Sequence, residues 1–376
     1  MTMRVLYSVH GYGRGHATRT MAVLPHLMRP GRRILCLAGG DAYQTLAGEF
    51  PSVQIPAMGF TYRPRSGRLS LAATVLHNLP AALDLAFRGP VFSLVRDVML
   101  DFRPDVVISD AEAWSHRVAE HLQIPRISFD HFGLLAHCRP QFDMRDRIPA
   151  LAHAWCYRWL MRQPDRALVS SFHDAPARQP GVQVIGTLLR PSVRSAVSVP
   201  GEHLLVYFNR GLDQFRPGTL DVLRSLQIPV RVYCLEPREK IDQVSFHAMH
   251  PQTFVTDLAA CRAIISTAGN QLIGEAVHLR KPLCVLPEDC VEQRMNAAAI
   301  ERMGIGMRLH PSQLSLPALQ KFLGQLETYR ERMAAHGCDG TSDAARILEE
   351  FIQQLAPAAA AEEQQMPPRI STSEAA

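Results

Sequence analysis

What this sequence lacks excludes several large classes of protein. Its eight cysteines are scattered singly without a CxxC pair, so the spacing of a disulfide framework or a zinc site is missing. The longest apolar stretch, Leu69–Phe87, is interrupted by His77, Asn78, Pro80 and Asp84 and is a poor candidate for crossing a bilayer. The first residues carry neither the charged start nor the cleavage site of a signal peptide. We therefore expect a cytoplasmic protein with reduced, mostly buried cysteines.

The composition is that of a folded chain with an uneven distribution of charge. Its 376 residues, 47% hydrophobic and 20% charged, suit two domains better than one core. Between residues 61 and 100 there are five arginines and two aspartates, and between 137 and 166 six arginines and three aspartates. Such clusters are typical of a solvated surface, or of a face that meets a membrane or a phosphorylated acceptor. No nucleic-acid-binding motif accompanies them, so nucleic acid is not expected as a partner.

Short apolar segments alternate with helical patterns in the first half of the chain. The predicted strands are Arg4–Val9, Arg33–Ala38, Val106–Ser109, Arg126–Phe129 and Ala167–Ser171. The predicted helices are Thr18–Met28, Leu71–Phe87, Val91–Asp101 and Trp114–Leu122. This alternation indicates right-handed βαβ units built on buried parallel strands.

The segment Gln183–Pro200 is predicted to be an exit strand followed by a linker, and a second alternating series comes after it. Its predicted strands are Leu204–Phe208, Val230–Leu235, Ala263–Ser266 and Leu283–Leu286. Its predicted helices are Gly218–Leu226, Asn270–Leu279, Val291–Met303 and Ser315–Ala335. We predict an α/β protein with two Rossmann-like domains, residues 1–190 and 191–355, facing each other across a cleft. The Ala-, Glu- and Pro-rich tail, 356–376, is predicted to be disordered.

The turn after the first predicted strand is rich in glycine and ends at His16. Glycines permit a tight turn with free N–H groups at a helix start, a natural site for an anion or a substrate oxygen. The spacing is GxGxG rather than GxGxxG, so it gives little support to a dehydrogenase. His16 would project into the crevice at the carboxyl edge of the sheet. Asp110, at the end of a neighbouring strand, could hold one imidazole nitrogen and leave the other as a base, or could cap the next helix.

A second turn, Ser266–Asn270, opens a helix in the C-terminal half. Its free N–H groups and the helix dipole suit a diphosphate, and the side chains of Ser266, Thr267 and Asn270 can add hydrogen bonds. Glu275 lies about one and a half turns into the helix, within reach of a ribose diol. The alternatives are an ordinary αβ connection and a solvated glutamate.

The C-terminal half resembles the donor-binding half of inverting GT-B glycosyltransferases. These include the UDP-glycosyltransferases and the lipid-II-forming N-acetylglucosaminyltransferases. The similarity runs in the order of those families through Phe254–Asn270, Gly274-Glu275-Ala276, Lys281–Pro287 and Glu292–Ala297. The N-terminal Gly13-x-Gly15-His16 and Ile108-Ser109-Asp110 are similar to the same families at their expected places.

The resemblance implies transfer of a hexose-type sugar from a nucleotide diphosphate, by default a UDP-sugar, to an acceptor hydroxyl. It implies that His16 and Asp110 form the catalytic pair and that Glu275 binds the ribose. Glu292 and Gln293 are expected to bind the sugar hydroxyls, and Arg210 to neutralise the diphosphate. The expected donor-binding residues are Asn209, Arg210, Phe254, Ser266, Thr267, Ala268, Gly269, Asn270, Glu275, Glu292 and Gln293. The expected acceptor-side residues are Gly13, Arg14, Gly15, Asp130 and His131.

The same segment bears on stereochemistry. Retaining GT-B enzymes of the large family 4 carry two glutamates eight positions apart around this helix, and Thr267 stands eight positions before Glu275. We therefore expect inversion by direct displacement with His16 as the base. No DxD motif is evident, so no metal or other cofactor is expected to be obligatory.

Other functions share some of these features. A sugar-nucleotide 2-epimerase of the same fold would convert the donor without an acceptor, and a non-catalytic subunit would bind the sugar nucleotide only. The acceptor is open. Leu71–Phe87, beside Arg63, Arg65 and Arg68, could lie at a membrane interface and receive a lipid-linked acceptor, or could be a core helix next to a basic loop.

Overall fold

Two parallel β-sheets form the framework of the protein. The computed structural model describes residues 2–12, 14–62, 70–208, 211–234, 237–337 and 339–357. The first sheet has the order β3-β2-β1-β4-β5-β6-β7. Its strands are β1 (Met3–Val9), β2 (Arg32–Ala38), β3 (Ser52–Gln54), β4 (Val106–Asp110), β5 (Arg126–Asp130), β6 (Arg166–Ser170) and β7 (Val182–Ile185). Its helices are α1 (Arg14–Leu27), α2 (Gly40–Leu46), α3 (Leu71–Phe87), α4 (Pro90–Phe102), α5 (Ala113–His121), α6 (Leu134–His137) and α7 (Arg147–Met161).

The second sheet has the order β10-β9-β8-β11-β12-β13. Its strands are β8 (Leu204–Tyr207), β9 (Val230–Cys234), β10 (Val244–Ala248), β11 (Ala263–Ser266), β12 (Leu283–Val285) and β13 (Gly306–Arg308). The remaining helices are α8 (Pro191–Arg194), α9 (Thr219–Arg224), α10 (Pro251–Ala259), α11 (Asn270–His278), α12 (Val291–Met303), α13 (Leu316–Leu323), α14 (Leu326–Met333) and α15 (Thr341–Leu355).

The predicted α/β architecture is confirmed, and the differences from prediction have local causes. Every predicted strand is present to within one residue at each end. Strands β3, β10 and β13 were not predicted because they are short or half-exposed and lie at sheet edges, where the apolar signal is weak. The helix predicted over Ser315–Ala335 is divided into α13 and α14 at Gly324.

Two expectations from the sequence, reduced cysteines and no segment that crosses a bilayer, can be compared with the described residues. The cysteines that the structure describes, all but Cys338, form no disulfide. Within the described ranges, no helix combines the length and the apolar character needed to span a membrane.

The last helix, α15, returns to the first domain. Its apolar residues Ala344, Ile347, Leu348, Phe351 and Ile352 belong to the same buried cluster as the side chains of β1 and α1. The Arg32 guanidinium also donates to Glu349 of α15 over 2.9 Å. On the predicted boundaries, residues 341–355 fall in the second domain, whereas in the structure they pack on the first. An amphipathic pattern shows that a helix has an apolar face but not which core that face joins.

The segment that crosses from the first domain to the second, Thr187–Arg190, packs against one face of α11. Gln271 Nε2 donates to the Leu188 carbonyl over 2.8 Å, and Leu189 N–H donates to Thr341 Oγ1 over 3.1 Å. A Cβ at Gly274 would overlap the side chain of Thr187. Glycine is therefore needed at position 274 for close approach rather than for backbone freedom.

We expect Gly274→Val to lower the free energy of unfolding by about 1–3 kcal/mol, because the added side chain overpacks the contact with Thr187. Denaturant unfolding followed by circular dichroism measures the change. Gly48→Ala is the control, since a Cβ at Gly48 meets open space. An equal free energy of unfolding in the two variants would show that the crossing segment moves aside without a loss of stability.

Candidate active site

Strand pairing brings the two residues of the predicted catalytic pair together. Strands β1 and β4 are parallel neighbours with Val9 opposite Asp110, and the His10 N–H donates to the Asp110 carbonyl over 2.9 Å. Helix α1 follows β1, and its His16 Nδ1 lies 2.8 Å from Asp110 Oδ1. Both side chains are buried, and Asp110 is 0% exposed. Because Nδ1 faces the carboxylate, Nε2 is the nitrogen that remains for a substrate.

The alternative role for Asp110, as a helix cap, is filled by another residue. The Glu112 carboxylate accepts hydrogen bonds from the N–H groups of Trp114 over 2.9 Å and Ser115 over 2.7 Å at the start of α5. Asp110 is therefore available to its side-chain partners.

A third member of this cluster, Arg19, was missed in the sequence. Its guanidinium donates to both oxygens of Asp110, with Nη2 2.6 Å from Oδ1 and Nε 3.0 Å from Oδ2. Burial alone would raise the pKa of Asp110, but the cation of Arg19 and then His16 outweigh burial and hold that pKa below its usual value. The available signal was spacing, since residues three apart share a helix face.

Two aromatic rings pack beside His16. The ring centroid of His10 lies 5.0 Å from that of His16, and the ring centroid of Phe132 lies 5.1 Å from it. Burial lowers the pKa of His10 to about 3, with the neighbouring His16 as the second cause, so His10 is neutral at physiological pH. The base candidate therefore lies in a largely apolar wall.

Asp130, predicted on the acceptor side, is hydrogen-bonded to the loop that carries Phe132. Its carboxylate accepts from Gly133 N–H over 2.6 Å and from the Tyr157 hydroxyl over 2.6 Å, and it is 1% exposed. The expectation that Asp130 lines the acceptor pocket is corrected, because both of its oxygens are turned inward. Its role is to fix the loop that carries His131 and Phe132.

His131 meets the second domain. Its Nδ1–H donates to the Ser170 carbonyl over 2.7 Å, and its Nε2 lies 3.5 Å from Glu292 Oε1 of α12. Burial lowers the pKa of His131 to about 3 and raises that of Glu292 to about 7. Glu288 is the second cause of the rise at Glu292. One expected acceptor-side residue and one expected donor-side residue are thus in contact.

Further polar contacts hold the two domains together around this point. Arg294 of α12 donates to Asp146 over 2.7 Å, and the Tyr62 hydroxyl donates to Glu288 over 3.1 Å. Phe172 N–H donates to Asn270 Oδ1 over 3.2 Å at the start of α11. The site lies at this junction.

The predicted donor turn is built largely from backbone. Ser266 and Ala268 are 0% exposed, and the Ser266 hydroxyl donates to the Thr267 carbonyl. The expected side-chain hydrogen bond from Ser266 to a ligand is therefore corrected. Gly269, by contrast, faces open space at the N-terminus of α11, where no side chain caps the helix.

Two amide side chains brace this turn. Gln293 Oε1 accepts from Ala268 N–H over 3.2 Å and from Glu288 N–H over 2.8 Å. Asn296 Nδ2 donates to the Ala268 carbonyl over 2.9 Å. The structure thus gives Gln293 a supporting role that its sequence position did not indicate.

Glu275, the expected ribose ligand, is paired with an arginine of the crossing segment. Arg190 donates from Nε to Oε1 over 2.8 Å and from Nη2 to Oε2 over 2.7 Å, and Glu275 is 1% exposed. A solvated glutamate is thereby excluded. The carboxylate has lone pairs left for a ribose, but Arg190 covers it in this arrangement.

Phe254, also expected to bind the donor, lies in the core of the second domain. Its ring packs edge-on against Tyr207 and Tyr233, with centroid separations of 5.4 and 4.9 Å. The Arg190 guanidinium lies 5.6 Å above it. The prediction of direct contact is corrected: the ring supports Arg190 instead.

Several predicted residues cannot be placed. Gly13, Asn209 and Arg210 lie outside the described residues, as does the side chain of Arg14. Gly15 faces open space in the first turn of α1. Within the ranges that the structure describes, no three His, Cys, Asp or Glu side chains are grouped so as to hold a metal ion.

Comparison with known proteins identifies the family. Residues 3–327 match the family described as Glycosyl transferase family 1. An uncharacterized glycosyltransferase of Methanosarcina acetivorans is 23% identical over 392 residues, covering 94% of this chain and 100% of that protein.

Solved structures share the fold. CalG4, the calicheamicin glycosyltransferase, superimposes with a TM-score of 0.67 at 16% identity, covering 95% of this chain and 100% of that one. The spinosyn rhamnosyltransferase SpnG complexed with thymidine diphosphate gives 0.61 at 15% identity, covering 92% and 100%. The resemblance seen in the sequence is confirmed: the chain belongs to glycosyl transferase family 1 and has the GT-B fold, with two Rossmann-like domains.

Proposed function

We propose that this glycosyltransferase moves a hexose-type sugar from a nucleotide diphosphate donor, a UDP-sugar, to an acceptor hydroxyl with inversion. The observation that carries the proposal is the buried His16–Asp110 pair close to the domain junction, where His131 meets Glu292. A base there and free N–H groups at the start of α11 are the two groups that a displacement needs. Family membership favours transfer over the epimerase and the non-catalytic subunit.

In the proposed mechanism, His16 Nε2 removes the proton of the acceptor hydroxyl. The acceptor oxygen forms a bond to the anomeric carbon while the bond from that carbon to the diphosphate oxygen breaks. The nucleoside diphosphate leaves with the electron pair, and the N-terminus of α11 stabilises its charge. Asp110 stabilises the imidazolium that forms. Thr267, in place of a glutamate, supports one displacement and hence inversion.

Donor recognition is divided among three places. The diphosphate would lie against the N–H groups beside Gly269, and Glu292 would bind hydroxyls of the hexose. The ribose would either share Glu275 with Arg190 or displace Arg190 from Glu275. UDP is the default donor nucleotide of the families that the sequence resembles, while the thymidine diphosphate bound to SpnG makes TDP the competing choice. Both share the diphosphate and a pyrimidine.

His16→Ala is expected to lower kcat by about 10²- to 10⁴-fold, because it removes the proposed base. Asp110→Asn is also expected to lower kcat, because it removes the carboxylate that holds His16 Nδ1. A panel of UDP- and TDP-sugars, ranked by thermal stabilisation of the protein, selects the donor. Product formation is then followed by NMR, which also reports the anomeric configuration.

His26→Ala is the matched control, since His26 is exposed on the same helix. Normal turnover in both His16→Ala and Asp110→Asn would refute the base assignment. A retained anomeric configuration would refute inversion. An isomerised sugar nucleotide formed without acceptor would point to the epimerase.

Glu292 predicts a pH dependence of donor binding. Because burial raises its pKa to about 7, the carboxyl is mostly neutral below that pH and mostly ionised above it. An ionised carboxylate accepts stronger hydrogen bonds from sugar hydroxyls. The donor KM should therefore fall as pH rises through about 7, while Glu292→Gln should keep a high KM at every pH.

Glu301→Gln, on the exposed face of α12, controls for the loss of one charge from the helix. Initial rates over a range of donor concentrations on either side of neutrality supply the KM values. A pH step that persists unchanged in Glu292→Gln would assign the titration to another group.

We further propose that the acceptor is lipid-linked and that α3 contacts an anionic membrane at its cytoplasmic face. Although most residues of α3 are apolar, Leu85 is its one described hydrophobic side chain that is fully buried. Leu76 is 70% exposed and Phe87 80% exposed. An apolar helix normally lies in a core or a membrane, so this face needs an apolar partner.

Other exposed residues of the first domain also suit a membrane as that partner. Exposed Arg88 follows α3, and α7 adds the exposed side chains Ile148, Trp155 and Arg158. Apolar side chains flanked by arginines suit the interface of an anionic bilayer. Arg63, Arg65 and Arg68, which the sequence places just before α3, lie outside the described residues.

Helix α3 is also tied to the acceptor side of the site. Asn78 Nδ2 donates to the Gly59 carbonyl over 2.8 Å, and Thr61 N–H donates to Thr74 Oγ1 over 2.9 Å. Phe60, between these two anchors, packs edge-on against Tyr12 of the glycine-rich turn, with the centroids 5.6 Å apart. An acceptor held by its lipid at α3 would thus have its polar end near His16.

Leu76→Asp and Phe87→Asp should each weaken binding to phosphatidylglycerol vesicles by about tenfold, because each replaces exposed apolar area with a charge. Co-sedimentation measures the bound fraction. Val197→Asp, which changes an exposed apolar residue elsewhere, should bind like the wild type. Equal sedimentation of all the variants would count against the membrane contact.

A further inference from the structure

Arg19 lies beside the predicted base as well as beside Asp110. The Asp110 Oδ1 atom lies 2.8 Å from His16 Nδ1 and accepts a hydrogen bond from Arg19 Nη2 over 2.6 Å. These two nitrogens are 3.0 Å apart. Arg19 is 4% exposed. One carboxylate is therefore shared between an imidazole and a cation that water reaches poorly.

Sharing changes what Asp110 can do for His16. In an isolated pair, the carboxylate attracts a proton to the imidazole and would keep it charged. Here the guanidinium neutralises the carboxylate and would face the imidazolium at close range in a site of low dielectric. Burial would lower the pKa of Arg19, yet Asp110 outweighs it and keeps that pKa raised, so the cation is permanent.

The other groups around His16 do not replace this cation. His10, at the end of β1, and His131, on the loop after β5, both have pKa values of about 3 and are neutral. Phe132 carries no charge. Asp130 and Glu292 lie near enough to act on Arg19 electrostatically. Among the side chains that the structure describes, Arg19 is thus the positive charge, and Asp110 the negative charge, in contact with His16.

We propose that Arg19 is a positioning residue that fixes the Asp110 carboxylate and opposes protonation of His16. The bidentate grip holds Asp110 in the rotamer that orients His16 Nδ1, and the positive charge lies 3.0 Å from that nitrogen, where it opposes the charge of an imidazolium. The inference rests on the proposed function only in giving His16 the role of base. The electrostatic effect itself is measurable without substrate.

The test is an NMR titration of the histidine rings in the full chain, from about pH 5 to about pH 9. The signal of His16 is identified by its loss in His16→Gln. In Arg19→Gln, His16 should titrate at a pH higher by about one unit or more than in the wild type, because the opposing cation is gone. Arg19→Lys retains the charge and should shift it much less.

A second comparison guards against a variant that fails to fold. Arg19→Gln combined with Asp110→Asn leaves no uncompensated buried charge. It differs from Asp110→Asn alone only at position 19, and His16 should titrate higher in the double variant. Arg32→Gln, which disrupts the pairing of a buried arginine with Glu349 in the contact between α15 and the first domain, should leave the titration unchanged.

Coincident titrations in either comparison, between proteins with native circular dichroism, would overturn the inference. That failure is distinct from failure of the proposed function. Full turnover by His16→Ala would refute the assignment of His16 as the base and would leave the titration result intact. Loss of turnover in His16→Ala, together with coincident titrations, would refute only the inference about Arg19.

Discussion

One buried carboxylate, that of Asp110, constrains the part of the first domain that surrounds it. An ionised carboxylate without access to water costs several kcal/mol unless charged and hydrogen-bonding partners surround it. Here the partners come from one face of α1, as His16 and Arg19. They meet Asp110 only because β1 and β4 are neighbours in parallel register. Strand order, glycine-rich turn and helix face are therefore constrained by the same charge.

The junction of the two domains is the second constraint. Helix α11, the proposed support of the diphosphate, is held by the crossing segment through Gly274, Gln271 and Glu275. Thr341, at the start of α15, bonds to the same segment, and the rest of α15 packs on the first domain. Relative movement of the two domains would disturb these contacts. The Arg190–Glu275 pair joins the crossing segment to the proposed ribose-binding residue.

The site combines neutral histidines with a small number of fixed charges. His10 and His131 are held neutral by burial, and Phe132 adds an apolar surface beside His16. In such surroundings each remaining charge acts more strongly than it would in water. In the same domain, Phe60 packs against Tyr12 of the glycine-rich turn, and the residues on either side of Phe60 are hydrogen-bonded to α3.

Local signals in the sequence were enough to predict the alternation of strands and helices, because apolar runs and helical periodicity depend only on nearby residues. The sequence also indicated His16, Asp110 and the turn before α11, since residues at the carboxyl ends of parallel strands collect at one edge. It did not indicate that Arg19 grips Asp110, that Arg190 covers Glu275, or that Asp130 and Phe254 face inward. Nor did it assign α15 to the first domain or leave α3 exposed. Each of these depends on which side chains from distant segments meet, and only the tertiary structure decides that.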